Sequence, residues 1–184
     1  MSGNDEQLLY EQLVKAHWRE IYTYALRLSG NRSDAEDVVQ DTYLQAWKSI
    51  GALRDRGAAR SWLYTIARRG WWRMRESRNE SQSLDGLKIP DRRNDQRTTD
   101  ELDSVQRSLD RLDRTFRDPF LMVAMEGLSC RQVANELKLP LGTVLSRIAR
   151  AREKLKCILD EDSKAAGFGN NDRAIGSGGS GGGR

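Results

Sequence analysis

Arginines and aromatic side chains are interleaved between Gly51 and Asn79, a combination suited to holding the bases of a single nucleic-acid strand. The segment carries eight arginines, two acidic residues and four aromatic side chains. Arginine attracts phosphate, and an aromatic ring stacks on an unpaired base for about 1–3 kcal/mol without needing a particular sequence. A helix over this segment would bury one apolar stripe and leave a second set of residues on or beside the opposite side. That set is Arg60, Tyr64, Arg68, Arg69, Trp71, Trp72 and Arg75.

A competing interpretation treats the tryptophans as core residues and the arginines as solvated. Trp62 fits that interpretation. Trp71 and Trp72 fit it less well as a pair, because adjacent helical positions diverge by about 100° and one ring must point away from the core. The pair therefore favours a surface for opened nucleic acid.

A second basic block, residues 128–156, has seven basic residues against two acidic ones and the pattern of a helix-turn-helix. Ser129 and Gln132 predict a capping box, Ala134 is small enough for two helices to cross closely, and Pro140 interrupts the chain. Such a motif places its second helix in the major groove of duplex DNA. A helical hairpin with a solvated basic face is the alternative, but the length, the small residue and the charge asymmetry favour DNA binding. The outer side of the second helix would carry Thr143, Ser146, Arg147, Arg150 and Lys154.

Acidic residues form a stripe on an earlier helix. Asp34, Asp37 and Asp41 are spaced i, i+3 and i+7, and Glu36 lies beside them. Attraction to the helix dipole explains acids in the first turn, but it does not explain Asp41, one turn further on. Two interpretations stay open: these are solvated acids near a helix start, or they form a stripe that binds a basic protein surface.

Other kinds of chemistry find little support. The single histidine, His17, has no evident nucleophile or carboxylate pair, and the sequence lacks a phosphate-binding glycine loop and metal-ligand spacing. We therefore expect no enzyme activity, no cofactor and no metal. Cys130 and Cys157 are expected to be reduced thiols. Without an apolar run of membrane-spanning length or a signal-peptide pattern, we expect a cytoplasmic chain with no membrane insertion.

Helical periodicity through most of the 184 residues predicts an all-α protein with two small helical domains joined by a flexible linker. The first domain is placed at 1–79. Residues 80–100 have three aliphatic side chains in 21 positions, too few to offset the entropy of ordering, and are interpreted as the linker. The second domain is placed at 101–165. Residues 166–184 are predicted to be a disordered tail whose glycine- and serine-rich end is an artificial linker.

Local signals predict where several helices begin. Ser33, with Glu36 three residues on, predicts the start of the second helix. The pair Asp118-Pro119 predicts the start of a helix in the second domain. Lys138 occupies the turn position where glycine most easily adopts positive φ, and because a left-handed lysine costs on the order of 1 kcal/mol, it argues mildly against an ideal turn.

Taken in order, these segments resemble a bacterial RNA polymerase sigma factor of the extracytoplasmic-function (ECF, group IV) type. Residues 33–47 are similar to the family's polymerase-clamp-binding helix, 60–68 to its −10 promoter helix, and 127–152 to its −35 helix-turn-helix. The resemblance covers about residues 8–160. It implies that region 2 binds the β′ clamp helices of core RNA polymerase and helps melt the −10 element. It also implies that region 4 reads the −35 element and touches the β flap, that the protein has no catalytic activity of its own, and that an anti-sigma factor holds it inactive.

The resemblance also assigns roles to individual residues. Asp34, Asp37 and Asp41, with Glu36 beside them, fall on the clamp-binding helix. The −10 DNA set combines the arginine and aromatic side named above with a loop that captures a flipped base: Arg54, Arg56, Arg60, Arg68, Arg69, Trp71, Trp72 and Arg75. The −35 DNA set likewise combines the outer side of the second helix with positions that match the family's −35 contacts: Thr143, Leu145, Ser146, Arg147, Ala149, Arg150 and Lys154. A polymerase-independent helix-turn-helix regulator and a helical adaptor protein are the alternative functions.

Overall fold

The structure, a computed structural model, describes residues 3–85 and 100–168 of the chain. Within those two ranges the regular secondary structure is helical throughout, with no strand, which confirms the predicted all-α class. Two short 3₁₀ turns, Ile50–Ala52 and Arg56–Ala58, join the second and third helices. The α-helices are α1 (Gly3–Ser29), α2 (Arg32–Ser49), α3 (Ala59–Asp85), α4 (Asp100–Asp110), α5 (Arg114–Ala124), α6 (Cys130–Leu137) and α7 (Leu141–Phe168).

The described ranges differ in part from the predicted segment boundaries. Helix α3 continues to Asp85, into the segment interpreted as linker, and α7 continues to Phe168, into the predicted tail. The rest of those two segments, residues 86–99 and 169–184, lies outside the described residues.

Helices α1, α2 and α3 pack together as an N-terminal module. Ile21 and Tyr24 of α1, Val38 of α2 and Leu63 of α3 are buried in its core. Helix α1 ends at Gly30, whose positive φ of 82° lets its amide donate to the Leu26 carbonyl. This is the left-handed terminus that glycine adopts without a Cβ clash.

The predicted start of α2 is wrong by two residues. Asn31, not Ser33, is the N-cap, and its side-chain oxygen accepts the Asp34 amide at 2.8 Å. Asparagine is as good an N-cap as serine, and Asn31 directly follows the glycine that ends α1. Helix α2 therefore begins at once, and the connection between α1 and α2 is shorter than a cap at Ser33 would make it. Ser33 lies exposed inside the first turn of α2.

Helices α4 to α7 form a C-terminal module, and here too one predicted start is wrong. Asp113 caps α5 by accepting the Thr115 amide at 2.8 Å, and Pro119 lies inside the helix rather than at its start. A proline inside a helix loses one backbone hydrogen bond. Burial of Pro119, Leu121 and Met122 offsets that loss, and no local sequence signal reveals such burial.

The helix-turn-helix consists of α6 and α7. The predicted capping box is confirmed: the Ser129 and Gln132 side chains each hydrogen-bond to the other residue's backbone amide. Lys138 has φ 53° and ψ 43°, so the turn takes the left-handed conformation even though lysine, not glycine, stands there. Val133 of α6 and Val144 of α7 are completely buried where the two helices meet.

The two modules are in direct contact. Leu109, Leu112, Leu121 and Ala151 of the C-terminal module belong to the same buried hydrophobic cluster as the core of α1–α3. At Gly30, which joins α1 and α2, an added Cβ would lie 2.9 Å from the carboxylate of Asp110. In the described ranges no helix is both long enough and apolar enough to cross a membrane.

The left-handed lysine gives a testable stability prediction. We expect Lys138→Gly to raise the free energy of unfolding by about 0.5–1 kcal/mol, because glycine removes the Cβ strain at positive φ. Lys156→Gly is the matched control: Lys156 is exposed within α7, where glycine costs about 1 kcal/mol. Urea denaturation followed by circular dichroism measures both variants. A loss of stability in both would contradict the strain at Lys138.

Candidate nucleic-acid interface

The face of α3 that the sequence predicted to be open lies against the C-terminal module. Arg68 is only 1% exposed and Tyr64 is buried beside it. Glu126, which follows α5 and is equally inaccessible, pairs with the Arg68 guanidinium. Sequence periodicity placed Tyr64 and Arg68 opposite the α1–α3 core, but Tyr64 packs edge-on against Tyr24 of α1, and the second module covers Arg68.

Arg68 lies between two carboxylates of the C-terminal module. One terminal nitrogen donates to Glu126, and the other donates to Glu136 of α6 at 2.8 Å. The Tyr24 hydroxyl of α1 also donates to Glu126. A guanidinium offers a planar fork of donors, so it can serve two carboxylates at once.

The charges in this cluster stabilise each other against burial. Burial lowers the pKa of the Arg68 guanidinium, but Glu126, together with Tyr24 and Glu136, more than offsets this and the net pKa is raised. Burial also raises the pKa of the Glu126 carboxyl, and the hydrogen bond from Tyr24 and the charge of Arg68 only partly counter that rise. The pKa of the Tyr24 phenol is raised well above its ordinary value, chiefly by burial.

Further polar contacts connect the modules around this pair. Arg60 donates to the Met125 carbonyl at 3.1 Å and to Glu20 of its own module at 2.9 Å. From the other side, Arg117 of α5 donates to the Leu28 carbonyl of α1 at 3.1 Å.

Of the two adjacent tryptophans, Trp71 belongs to the buried hydrophobic cluster, as the competing core interpretation held, and Trp72 is only partly exposed. Trp71 is buried, with the guanidinium of Arg75 5.7 Å from its ring. Trp72 is half-buried, with the guanidinium of Arg68 5.3 Å from its ring, and it lies near the Asp118 carboxyl of α5, which accepts from Arg114 at 3.4 Å. Burial raises the pKa of Asp118 despite nearby arginines.

The remaining members of the predicted −10 set are accessible. Arg69 is 60% exposed, with its guanidinium 3.6 Å from Glu136, and Arg54 and Arg56 are exposed in the connection between α2 and α3. The structure therefore splits the predicted −10 set into a covered part around Arg68 and an open part that includes Arg69 and the connection.

The predicted −35 face, by contrast, stays open. Leu145, Ser146, Ala149 and Arg150 are exposed along α7, while Thr143 and Arg147 are half-buried. Exposed apolar groups beside hydroxyl and guanidinium donors suit a base-reading helix, because the thymine methyl lies in the major groove with the donor and acceptor edges. At the far end of this face, Lys154 is exposed with its ammonium 4.6 Å from the Phe116 ring.

The acidic stripe of α2 is only partly free. Asp34 accepts two hydrogen bonds from Arg78 of α3, at 2.7 and 2.8 Å, and Asp41 lies 3.4 Å from Arg73. Asp37 is exposed. Glu36, also exposed, pairs with Arg32 at 2.7 Å on its own helix.

Sequence reasoning missed two groups of residues. Leu44 and Trp47 are about half exposed one and two turns beyond Asp41, and Trp47 packs edge-on against Tyr10. The sequence signal that could have revealed them is their position, because both continue the acidic stripe beyond Asp41 in steps of three residues. Glu126 and Glu136 gave no such signal, because only the packing of the two modules brings them to Arg68.

The fold and the site define a two-module helical protein whose helix-turn-helix presents a basic face. Residues 13–80 match the family model for Sigma-70 region 2, and residues 102–155 match that for Sigma-70, region 4. The chain therefore belongs to the ECF RNA polymerase sigma factors, as its similarity to individual members also shows.

The similarity extends over most of the chain. SigL, an ECF RNA polymerase sigma factor of Mycobacterium tuberculosis, is 35% identical over 171 residues, covering 85% of this chain and 92% of that protein. SigE of Mycolicibacterium smegmatis is 32% identical over 165 residues and covers 84% of this chain, which spans 63% of that relative's length. Among solved structures, the sigma factor RpoE of Bartonella quintana, in complex with the anti-sigma factor NepR, aligns with a TM-score of 0.64 and 27% identity. That alignment covers 82% of this chain and 96% of RpoE.

Proposed function

We propose that α7 of this sigma factor reads duplex −35 DNA and that α3, with the connection before it, engages melted −10 DNA. As a sigma factor, the chain acts with core RNA polymerase in promoter-specific transcription initiation. The observation that carries the assignment of sites is the pairing of an open helix-turn-helix face with an arginine- and tryptophan-rich helix in a separate module. A regulator that acts independently of polymerase would need only the open helix-turn-helix face.

The same proposal covers partners, location and chemistry. We infer that the chain binds the β′ clamp helices through α2, touches the β flap through region 4, and works in the bacterial cytoplasm without catalysing a reaction. In the described ranges, no cluster of histidine, cysteine and acidic side chains could hold a metal ion. An anti-sigma factor is an expected partner, supported by the RpoE–NepR complex.

Transcription with purified core polymerase tests the function directly. We expect core enzyme with this chain, but not core enzyme alone, to produce discrete transcripts from a promoter library. Sequencing the active templates should give a two-block motif. Tight binding to an operator without polymerase, together with no polymerase-dependent transcript, would instead identify a helix-turn-helix regulator.

The open face of α7 gives a prediction for −35 specificity. Arg150→Ala should cost about 1–3 kcal/mol on the preferred site and relax the preference at one or two base pairs, because Arg150 is exposed on the base-reading side. Arg147→Ala should weaken binding to all sequences alike and reduce the salt dependence, as loss of a phosphate contact does.

Arg152→Ala is the matched control, since Arg152 is exposed about 200° around the same helix from Arg150. Binding to a randomised −35 library at two salt concentrations measures all three variants. Unchanged sequence preference in Arg150→Ala would remove this residue from base readout.

The free part of the α2 stripe gives a prediction for polymerase binding. Asp37 is exposed about two turns before Leu44, so α2 presents a negative charge and, further along, an apolar patch that includes Trp47. An interface typically combines a buried aromatic anchor with charges that guide association. Asp34 and Asp41, which are paired with α3, would instead fix the position of this surface.

We expect Trp47→Ala to speed dissociation from core polymerase and Asp37→Lys to slow association, the latter most strongly at low salt. Glu76→Lys makes the same charge change at an exposed site on α3 and should leave both rates near those of the unmodified chain. Surface-immobilised core enzyme without DNA provides the measurement. Equal rates for all three variants and the unmodified chain would exclude α2 from the interface.

A further inference from the structure

Two aromatic side chains on the outer side of α1 have no role in the sites described above. Trp18 is 48% exposed, and its ring stacks on that of Tyr22, one helical turn further along. The ring centroids are 5.3 Å apart, and the ring planes differ by only 10°. Because the two rings pack face to face, the exposed part of the tryptophan is held in one orientation.

The charges nearest to this stack along α1 are positive and unpaired. Lys15 lies one turn before Trp18 and Arg19 directly after it, and both side chains are exposed. Among the residues that the structure describes, neither cation lies within ion-pair distance of a carboxylate. Both are therefore free to bind an anion.

The acidic side chains around the stack are engaged within the chain. Glu20 accepts a hydrogen bond from Arg60 of α3 at 2.9 Å, and Glu36 of α2 pairs with Arg32 at 2.7 Å. Glu11, two turns before the tryptophan, accepts from a glutamine amide on the preceding turn. The two free cations outweigh this one carboxylate, so the stack is flanked by net positive charge.

The stack also lies next to the surface proposed for melted DNA. Arg19 and Thr23 of α1 and Arg60 of α3 line the same cavity, which has a volume of about 390 Å³. Arg60 lies in the first turn of α3, directly after the connection between α2 and α3. One continuous surface therefore joins that connection to the turn of α1 that carries the stack.

A stacked aromatic pair flanked by free cations suits single-stranded nucleic acid. An unpaired base offers a flat face to the tryptophan ring, and the phosphates on either side of that base carry the charge that Lys15 and Arg19 attract. A duplex keeps its bases stacked inside and leaves the ring without a base to pack on. An apolar protein surface would cover the rings but leave both cations unpaired.

We propose that Trp18, stacked on Tyr22 and flanked by Lys15 and Arg19, forms a second binding site for single-stranded DNA beside the one proposed on α3. One base stacks on Trp18 while the two cations contact neighbouring phosphates. The site would hold a further stretch of the opened promoter strand, next to the stretch that α3 engages. Its assignment to promoter DNA rests on the proposed function of α3.

Two substitutions at Trp18 separate base stacking from apolar bulk. Trp18→Phe keeps an aromatic ring, whereas Trp18→Leu keeps an apolar side chain without a ring. We expect Trp18→Leu to weaken the affinity of the full chain for a short fluorescent single-stranded DNA about fivefold or more, the loss that one base stack accounts for. Trp18→Phe should retain most of that affinity. Affinity for duplex DNA of the same sequence should change in neither variant, and circular dichroism checks that both keep the native helix content.

Lys15→Gln with Arg19→Gln tests the phosphate contacts. We expect the slope of log affinity against log salt concentration to decrease in magnitude by about 1.4, at about 0.7 for each phosphate contact of a single strand. Lys48→Gln with Arg107→Gln is the matched control, because it removes the same charge at exposed positions of α2 and α4. The control should change the slope much less.

Photocrosslinking locates the bound strand directly. A single-stranded DNA that carries iodouracil couples to aromatic side chains when it is irradiated. We expect a crosslink within residues 16–19, the tryptic peptide that contains Trp18. Trp18→Leu should abolish that crosslink.

Equal single-strand affinity in Trp18→Leu and the unmodified chain, or equal salt slopes in the two charge variants, would overturn the proposal. Unchanged single-strand affinity together with weaker binding of Trp18→Leu to core polymerase would also overturn it and would assign the surface to a protein contact. Failure of the sigma-factor function would show differently: polymerase-dependent transcription would be absent in every variant and in the unmodified chain, while binding that depends on Trp18 would persist and support the site on α1.

Discussion

A guanidinium and a carboxylate that are both removed from water hold the two modules of this sigma factor in register. Arg68 of α3 and Glu126 of the C-terminal module lie where the modules meet, and Tyr24 of α1 donates to the same carboxylate. Neither charge can stay buried without the other, because an unpaired ion in a low-dielectric environment costs several kcal/mol. The hydrophobic contacts around the pair, among them Leu112 and Leu121, are less specific, since apolar surfaces can pack in many registers. The pair therefore selects one arrangement, in which α3 faces α5 and α6.

This arrangement divides the basic surface of the protein into an open and a covered part. The α7 face keeps the Ser146 hydroxyl and the Arg150 guanidinium in solvent. Helix α3 has its central arginine neutralised by acidic residues from elsewhere in the same chain. In α2 it is acidic residues that are neutralised, because Asp34 and Asp41 are paired with arginines of α3. Alternating charge blocks along the sequence thus form contacts with each other within the chain.

Local sequence signals predicted most helices but not all of their starts. The capping box at Ser129 was predicted correctly because it depends on bonds between residues a few positions apart. The starts at Ser33 and Asp118 were predicted wrongly because a competing cap lies nearby: Asn31 for α2 and Asp113 for α5. Several polar residues in succession can each cap a helix, and tertiary packing decides among options that differ by less than about 1 kcal/mol.

The sequence by itself determined the helical class, the two modules and the helix-turn-helix. Each of these follows from periodicity and short-range bonding, which a single segment carries. Only the tertiary structure decided that Arg68 is buried, that Trp72 lies near Asp118, and that Glu126 and Glu136 belong to the same cluster as α3. The reason is physical: these contacts join residues about 45 to 70 positions apart across two separately folded surfaces. Side-chain spacing within one helix gives no information about which charged side chain of the other module will pack against that helix.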